Sequence, residues 1–291
     1  MSLLLTGAII AGACLLRSEY EKVCLKLKTY TIESKKIPDS FDGVRIAVLS
    51  DLHNKQFGVN NEELYRYLKA ARPDYILSAG DLITKTRPEE TGEVAQFVGS
   101  LTGLCPVYLG NGNHELKLRQ HTIPGWGITA YDRFVRQVQQ FGVTVLADET
   151  VEIERAGEVI CVSGLDLGLE HYAKGSHVPM KKGYMEAKLG KAEDGRFHIL
   201  LGHYPNYFPE YAAWGADLVL AGHMHGGTVR LPGIGGLMSP NFEFFPTYDK
   251  GLYTRNGSTM VVSPGLGTHS INVRFGENFP EIPVIVLRKK K

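Results

Sequence analysis

Asp51, His53, Asp81, Asn113, His203, His223 and His225 are all of types that ligate metal ions, and they cluster where short apolar runs end. VRIAVLS (44–50) runs into Asp51, YILSAG (75–80) into Asp81, and PVYLG (106–110) into Asn111-Gly112-Asn113-His114. FHILLG (197–202) runs into His203 and DLVLAG (217–222) into His223. A single aspartate after a strand is an ordinary cap or turn residue. Capping does not explain five run ends that all supply Asp, Asn or His, and five of the ten histidines (53, 114, 203, 223 and 225) fall there. The two carboxylates supply hard anionic oxygen able to bridge two cations, the four imidazoles suit Zn, Fe, Mn or Ni, and Asn113 adds a neutral carbonyl oxygen. Seven ligands are too many for one tetrahedral ion but suit two ions that share a carboxylate. Two such ions, roughly 3.5–4 Å apart, hold a hydroxide between them at neutral pH and clamp an in-line displacement at phosphorus. The chemistry expected is that of a two-metal hydrolase.

The elements that must position these residues follow from the same runs. Continuous apolar stretches of this length read as buried strands, and helical stretches lie between them at 61–71 (with Asn61 as N-cap), 89–102, 130–141 and 207–214. Alternating strands and helices predict an α/β architecture, in which ligands gather outside the carboxyl ends of the strands. The segments 150–164, 227–232, 250–265 and 283–288 read as hairpins, with Asn256-Gly257 a tight turn, so a second sheet packed on the first is expected, with no linker between them.

Composition adds exclusions. With 43% hydrophobic and 22% charged residues in 291, the chain is globular. A net charge of +1 provides no field to attract nucleic acid, so a nuclease is disfavoured. The four cysteines form no C-x-x-C pair and imply neither a disulfide framework nor a zinc knuckle. Residues 3–16, LLLTGAIIAGACLL, carry no charge. A helix of that length spans about 21 Å, short of a hydrocarbon core of about 30 Å. Residues 1–17 are expected to form an anchor-like membrane segment, with an interfacial helix or a cleaved signal as alternatives. Arg17, Lys22, Lys26 and Lys28 follow it and favour a cytoplasmic catalytic domain. Residues 18–43 read as a charged connection with strand character around 25–32, and 44–291 as one catalytic domain.

SDLH (50–53), GDLI (80–83), GNHE (112–115), GH (202–203) and AGHMHGG (221–227) resemble, in order and spacing, the five motifs of the calcineurin-like metallophosphoesterases. The resemblance extends from about Val44 to the C-terminus. It implies a four-layer αββα sandwich of two mixed β-sheets flanked by helices, and phosphoester hydrolysis at a dinuclear centre of Mn, Fe or Zn with a bridging hydroxide as nucleophile. Asp51, His53, Asp81 and His225 would hold one ion, and Asp81, Asn113, His203 and His223 the other, with Asp81 bridging. His114 would protonate the leaving oxygen or stabilise charge at the phosphate, and Glu115 would brace the turn. Only Leu82-Ile83-Thr84 follows the second Gly-Asp, where the protein Ser/Thr phosphatases carry a longer, acidic, arginine-bearing motif.

FDGVRIAVLSDLHN (41–54), HGGTVRLPG (225–233) and GLGTHSINVRFGENFPEIPVI (265–285), with the apolar N-terminus, are similar to a membrane-anchored branch that includes relatives of the UDP-diacylglucosamine pyrophosphohydrolases. That similarity implies a lipid-linked or envelope phosphoester as substrate. Residues 234–245, with three Phe within four positions, would rim such a site or fill a core, and Arg274 is the candidate phosphate contact. Trp126, Tyr131, Tyr172 and Tyr184 read as packing. The alternatives are a pyrophosphohydrolase of a UDP-sugar lipid and a non-catalytic envelope-binding protein that keeps a metal for structure.

Overall fold

The computed structural model describes residues 3–84, 88–120, 128–175, 177–192, 195–268 and 272–291, so Trp126 lies outside the described residues. The apolar runs become strands β1 (Lys26–Ser34), β2 (Arg45–Leu49), β3 (Tyr75–Ser78), β4 (Val107–Gly110), β5 (Thr144–Leu146), β6 (Glu149–Arg155), β7 (Glu158–Gly164), β8 (Phe197–Leu201), β9 (Leu218–Ala221), β10 (Arg230–Leu231), β11 (Gly235–Gly236), β12 (Gly251–Arg255), β13 (Ser258–Val262) and β14 (Glu281–Lys289). The helices are α1 (Leu3–Val23), α2 (Glu62–Ala71), α3 (Thr91–Ser100), α4 (Asn113–Arg119), α5 (Ala130–Gln140), α6 (Tyr184–Leu189) and α7 (Phe208–Trp214).

Two six-stranded sheets form, in the orders β1-β14-β2-β3-β4-β5 and β12-β13-β9-β8-β7-β6, with β10 and β11 a separate ribbon. Both are mixed. In the first, β14 runs parallel to β1 and antiparallel to β2 while the rest are parallel. In the second, β6 and β12 are antiparallel additions to a parallel centre.

Because side chains alternate across a strand, each sheet buries both faces. In β2, Ala47 and Leu49 face Leu64, Leu68, Val98 and Phe134 of the helices, whereas Ile46 and Val48 face Ile199, Leu201 and Leu220 of the other sheet. In β8, Leu200 turns outward to Tyr207, Tyr211 and Trp214. Two sheets flanked by helices is thus the arrangement of the α/β fold expected. The hairpins β6–β7 and β12–β13 form as expected, and the second turns at Asn256 (φ 49°) and Gly257 (φ 83°), the two positive φ values of a type I′ turn.

Three expectations need correction. Residues 283–288 make no hairpin in the second sheet; they belong to β14, inserted in the first. Asn61 does not cap α2 through its side chain: it is left-handed (φ 60°), and its Oδ1 accepts from the Phe57 amide (2.8 Å). The helix does not end with the apolar stretch, since α1 continues through Arg17, Glu19, Glu21 and Lys22 to Val23. Among the described residues no helix is long and apolar enough to cross a membrane, so nothing in the fold supports the expected anchor as a span. Charged side chains are costly within a bilayer, and Glu21 here is buried against protein instead.

Candidate metal centre

The predicted ligands come from the carboxyl ends of β2, β3 and β4 in one sheet and of β8 and β9 in the other. Asp51, His53, Asp81, His223 and His225 all have positive φ, between 49° and 67°. That conformation disfavours non-glycine residues by about 1–2 kcal/mol each and persists only where surroundings over-determine it. Here backbone bonds join one loop to the next: the Asp51 amide donates to Gly80 O (2.9 Å), that of His53 to Asp81 O (3.1 Å), and that of Gly222 to His203 O (2.9 Å). Glycine is required at two close approaches. A Cβ on Gly112 would lie 2.2 Å from Asp81 Oδ1, and one on Gly222 1.9 Å from Ser50 Oγ.

The side chains converge. Asp51, His53 and His225 form one cluster with donor atoms within 4.8 Å of one another, Asp81, His203 and His223 a second, and His53, Asp81 and His114 a third. His53 Nε2 and His225 Nε2 are 3.2 Å apart, His225 Nε2 is 3.5 Å from Asp51 Oδ1, and His203 Nε2 is 3.3 Å from Asp81 Oδ2. Asn113 opens α4, is buried, and its Oδ1 has no hydrogen-bond partner among the described residues. An orphaned carbonyl oxygen among converging imidazoles and carboxylates fits a cation, because each of these atoms has a lone pair to give.

Outer contacts hold the donors in place, as such contacts do around bound metals. His203 Nδ1 is 2.7 Å from Ala79 O, His223 Nε2 is 3.3 Å from Asn241 Oδ1, and His114 Nδ1 is 3.2 Å from Thr84 Oγ1. The amide of His223 donates to Asp51 Oδ1 (3.0 Å) and that of His114 to Asp81 Oδ1 (2.8 Å). Glu115 braces the turns as expected, accepting from the amides of Asp81 (2.8 Å), Gly112 (2.9 Å) and Ile83 (3.2 Å).

The electrostatics describe carboxylates crowded in low dielectric. Burial pushes Asp51 up to about 6 despite His203, and burial with the nearby Asp81 charge pushes Glu115 up to about 7. Burial also opposes charge on Asp81 and His203, but the two support each other. His203, His114 and His53 hold Asp81 well below the usual range, and Asp81 and Asp51 raise His203 to about 9. Carboxylates buried this close together favour positive charge among them.

Arg274 corrects the sequence reading. It is 1% exposed, and its Nη atoms donate to the carbonyls of Pro264, Gly265, Gly267 and Asn278 (2.6–3.1 Å), which withdraws it from any substrate. Tyr131 and Tyr184 pack as expected, whereas Tyr172 lies against the site, its ring 5.2 Å from that of His223. The loop 234–245 borders the centre through Asn241 and exposes Phe242, Phe244 and Phe245. Sequence reasoning missed Asn241, Thr84 and Asn278, whose Nδ2 donates to His225 O (2.8 Å). No periodicity marks them, although Thr84 does follow the second motif directly.

Comparison with known proteins agrees with this geometry. The family model described as calcineurin-like phosphoesterase matches residues 44–227, which carry all the residues of the three clusters. The chain is 27% identical over 263 residues to the uncharacterized metallophosphoesterase YkoQ of Bacillus subtilis (strain 168), covering 89% of this chain and 88% of that one. It is 27% identical over 296 residues to YkuE of the same organism, also named an uncharacterized metallophosphoesterase, covering 98% and 93%. A transmembrane protein with metallophosphoesterase domain from Danio rerio is 28% identical over 274 residues, covering 91% of this chain and 57% of its own. With the family match spanning well over half of the chain and the strand ends gathering its metal-binding residue types, the protein is a phosphoric ester hydrolase of the calcineurin-like phosphoesterase family.

Proposed function

We propose that the chain hydrolyses a phosphomonoester or phosphodiester at a dinuclear centre, with Asp51, His53, Asp81 and His225 around one cation and Asp81, Asn113, His203 and His223 around the other. The observation that carries this reading is that Asp81 falls in two clusters, with His53 and His114 in one and His203 and His223 in the other, as a bridging carboxylate would. Divalent cations supply Lewis acidity toward phosphoryl oxygens and lower the pKa of water. The protein holds the imidazoles in register through Ala79 O and Asn241, and Thr84 fixes the His114 ring through Nδ1, beside Asp81 and His53. The test is hydrolysis of 4-nitrophenyl phosphate and bis(4-nitrophenyl) phosphate with Mn²⁺, Zn²⁺ or Fe²⁺. Asp81→Asn should lower kcat/KM by about 1,000-fold or more, a loss of about 4 kcal/mol of transition-state stabilisation. Undiminished activity in that variant, or indifference to chelation, would overturn the proposal.

We also infer a lipid surface as partner, entered but not crossed. Leu5, Ile9, Ile10, Leu15 and Leu16 of α1 are 51–75% exposed, on a stretch without charge. A helix apolar on every side needs apolar surroundings, and about 21 Å of it is too short to traverse a hydrocarbon core of about 30 Å. The full chain should co-sediment with phosphatidylcholine–phosphatidylglycerol vesicles and a variant lacking residues 2–16 should not; equal binding by both would refute it.

A further inference from the structure

On the outer side of His223 a cavity of about 350 Å³ opens, lined by Tyr204, Asn206, Asn241, Phe242, Glu243 and His177. It adjoins the candidate metal centre twice: Asn241 Oδ1 is 3.3 Å from His223 Nε2, and the Tyr204 ring centroid is 4.7 Å from that of His223. A chain of hydrogen bonds leads outward from there. Asn241 Nδ2 donates to Tyr204 OH (3.0 Å), and Asn206 Nδ2 lies 3.2 Å from Tyr204 OH and 3.0 Å from Glu243 Oε2. The Ser239 hydroxyl oxygen accepts from the Glu243 amide (3.2 Å) and fixes that end of the chain.

Phe242 forms the outer wall. Its ring is 53% exposed, and its backbone is left-handed (φ 64°), a conformation that a bulky side chain rarely adopts. A residue held so, with its ring facing out at a cavity mouth, is the kind of strained position that clusters at ligand-binding sites. The ammonium of Lys174 lies over that ring, 4.7 Å from its centroid.

The lining selects by chemistry. Two amides, a phenol and a carboxylate offer donors and acceptors side by side, which hydroxyl groups can match in both senses. An aromatic plate suits the apolar C–H face of a ring. An alkyl chain would desolvate the Asn206–Glu243 pair and offer nothing to the buried Asn206 Oδ1, which is unfavourable, and the Glu243 carboxylate repels a further phosphate. We propose that this cavity is the subsite for the alcohol substituent of the phosphoester, and that it takes an uncharged polyhydroxylated group such as a sugar or glycerol. The inference rests on the phosphoesterase reading above and adds the substrate class.

Two 4-nitrophenyl phosphodiesters of similar size, one with a glucosyl and one with an n-hexyl substituent, test it with the Mn²⁺-loaded full chain. The glucosyl diester should have the higher kcat/KM by about tenfold, the worth of one or two well-made hydrogen bonds, mainly through a lower KM. The ratio should fall toward one in Glu243→Gln and in Phe242→Ala. By calorimetry, a non-hydrolysable glucosyl methylphosphonate should bind about tenfold more weakly to Glu243→Gln than to wild type. Equal kcat/KM for the two diesters, preference for hexyl, or a ratio untouched by both substitutions would overturn the proposal. If no diester turns over, bis(4-nitrophenyl) phosphate included, the phosphoesterase reading fails instead. The calorimetric comparison then decides the cavity alone, and equal affinity in both proteins counts against it.

Discussion

His114 shows how one side chain is set apart from its neighbours. Its amide is anchored on Asp81 and its Nδ1 on Thr84, while its ring lies edge-on to His53 at 4.7 Å. If it protonates the leaving oxygen, the need for it scales with leaving-group basicity. His114→Ala should lower kcat about 100- to 1,000-fold on an alkyl phosphoester and far less on a 4-nitrophenyl ester, whose oxygen departs unprotonated. Equal losses on both would assign it to charge stabilisation. At this scale the site was legible wherever a donor ended an apolar run. Asn241 and Asn278 come from irregular loops and carry no such mark. Arg274 was misread because an arginine after a glycine-rich turn looks the same in sequence whether it faces a phosphate or, as here, a ring of carbonyls.

At the scale of elements, α1 is tied to the site by its charged half. The Glu21 carboxylate accepts from the amides of Glu277 (3.0 Å) and Asn278 (2.9 Å), and the Asn278 side chain donates to His225 O (2.8 Å) and Thr228 O (3.0 Å). Burial opposes charge on Glu21, but those amides and Arg17 hold its carboxyl below the usual range. A carboxyl lowered on folding contributes its stabilisation in full above the unfolded pKa, about 4.3, and loses it as pH falls through the folded value. Protection factors of the amides in residues 17–23 should therefore stay constant between pH 5 and 7 and fall below about pH 4. Glu21→Gln should remove that dependence; an unchanged pH profile in the variant would show that Glu21 does not hold the helix. Most strands and helices were visible as apolar periods. The placement of β14 was not, because an apolar strand buried on both faces carries nothing that names its neighbours.

For the whole molecule, the candidate centre lies where the two sheets meet, with donors from β2, β3 and β4 on one side and β8 and β9 on the other. A cation bound there would link the two sheets at their carboxyl ends, beyond the apolar layer of Ile46, Val48, Ile199 and Leu201. Binding to the folded state alone contributes about 2.7 kcal/mol at a ligand concentration of 100 Kd, a rise in Tm of about 4 °C for a chain of this size. Mn²⁺ or Zn²⁺ should produce that rise, chelator should reverse it, and Asp81→Asn should lack most of it. A wild-type Tm indifferent to the metal would separate the centre from stability. The position of β14 has a temporal consequence as well. Among the described residues β1 pairs along its whole length with β14 alone, the last of the described strands. During synthesis from the N-terminus, β1 and the base of α1 wait unpaired while every loop of the catalytic site is made. The helix α1 thus finds its place only after those loops have been made.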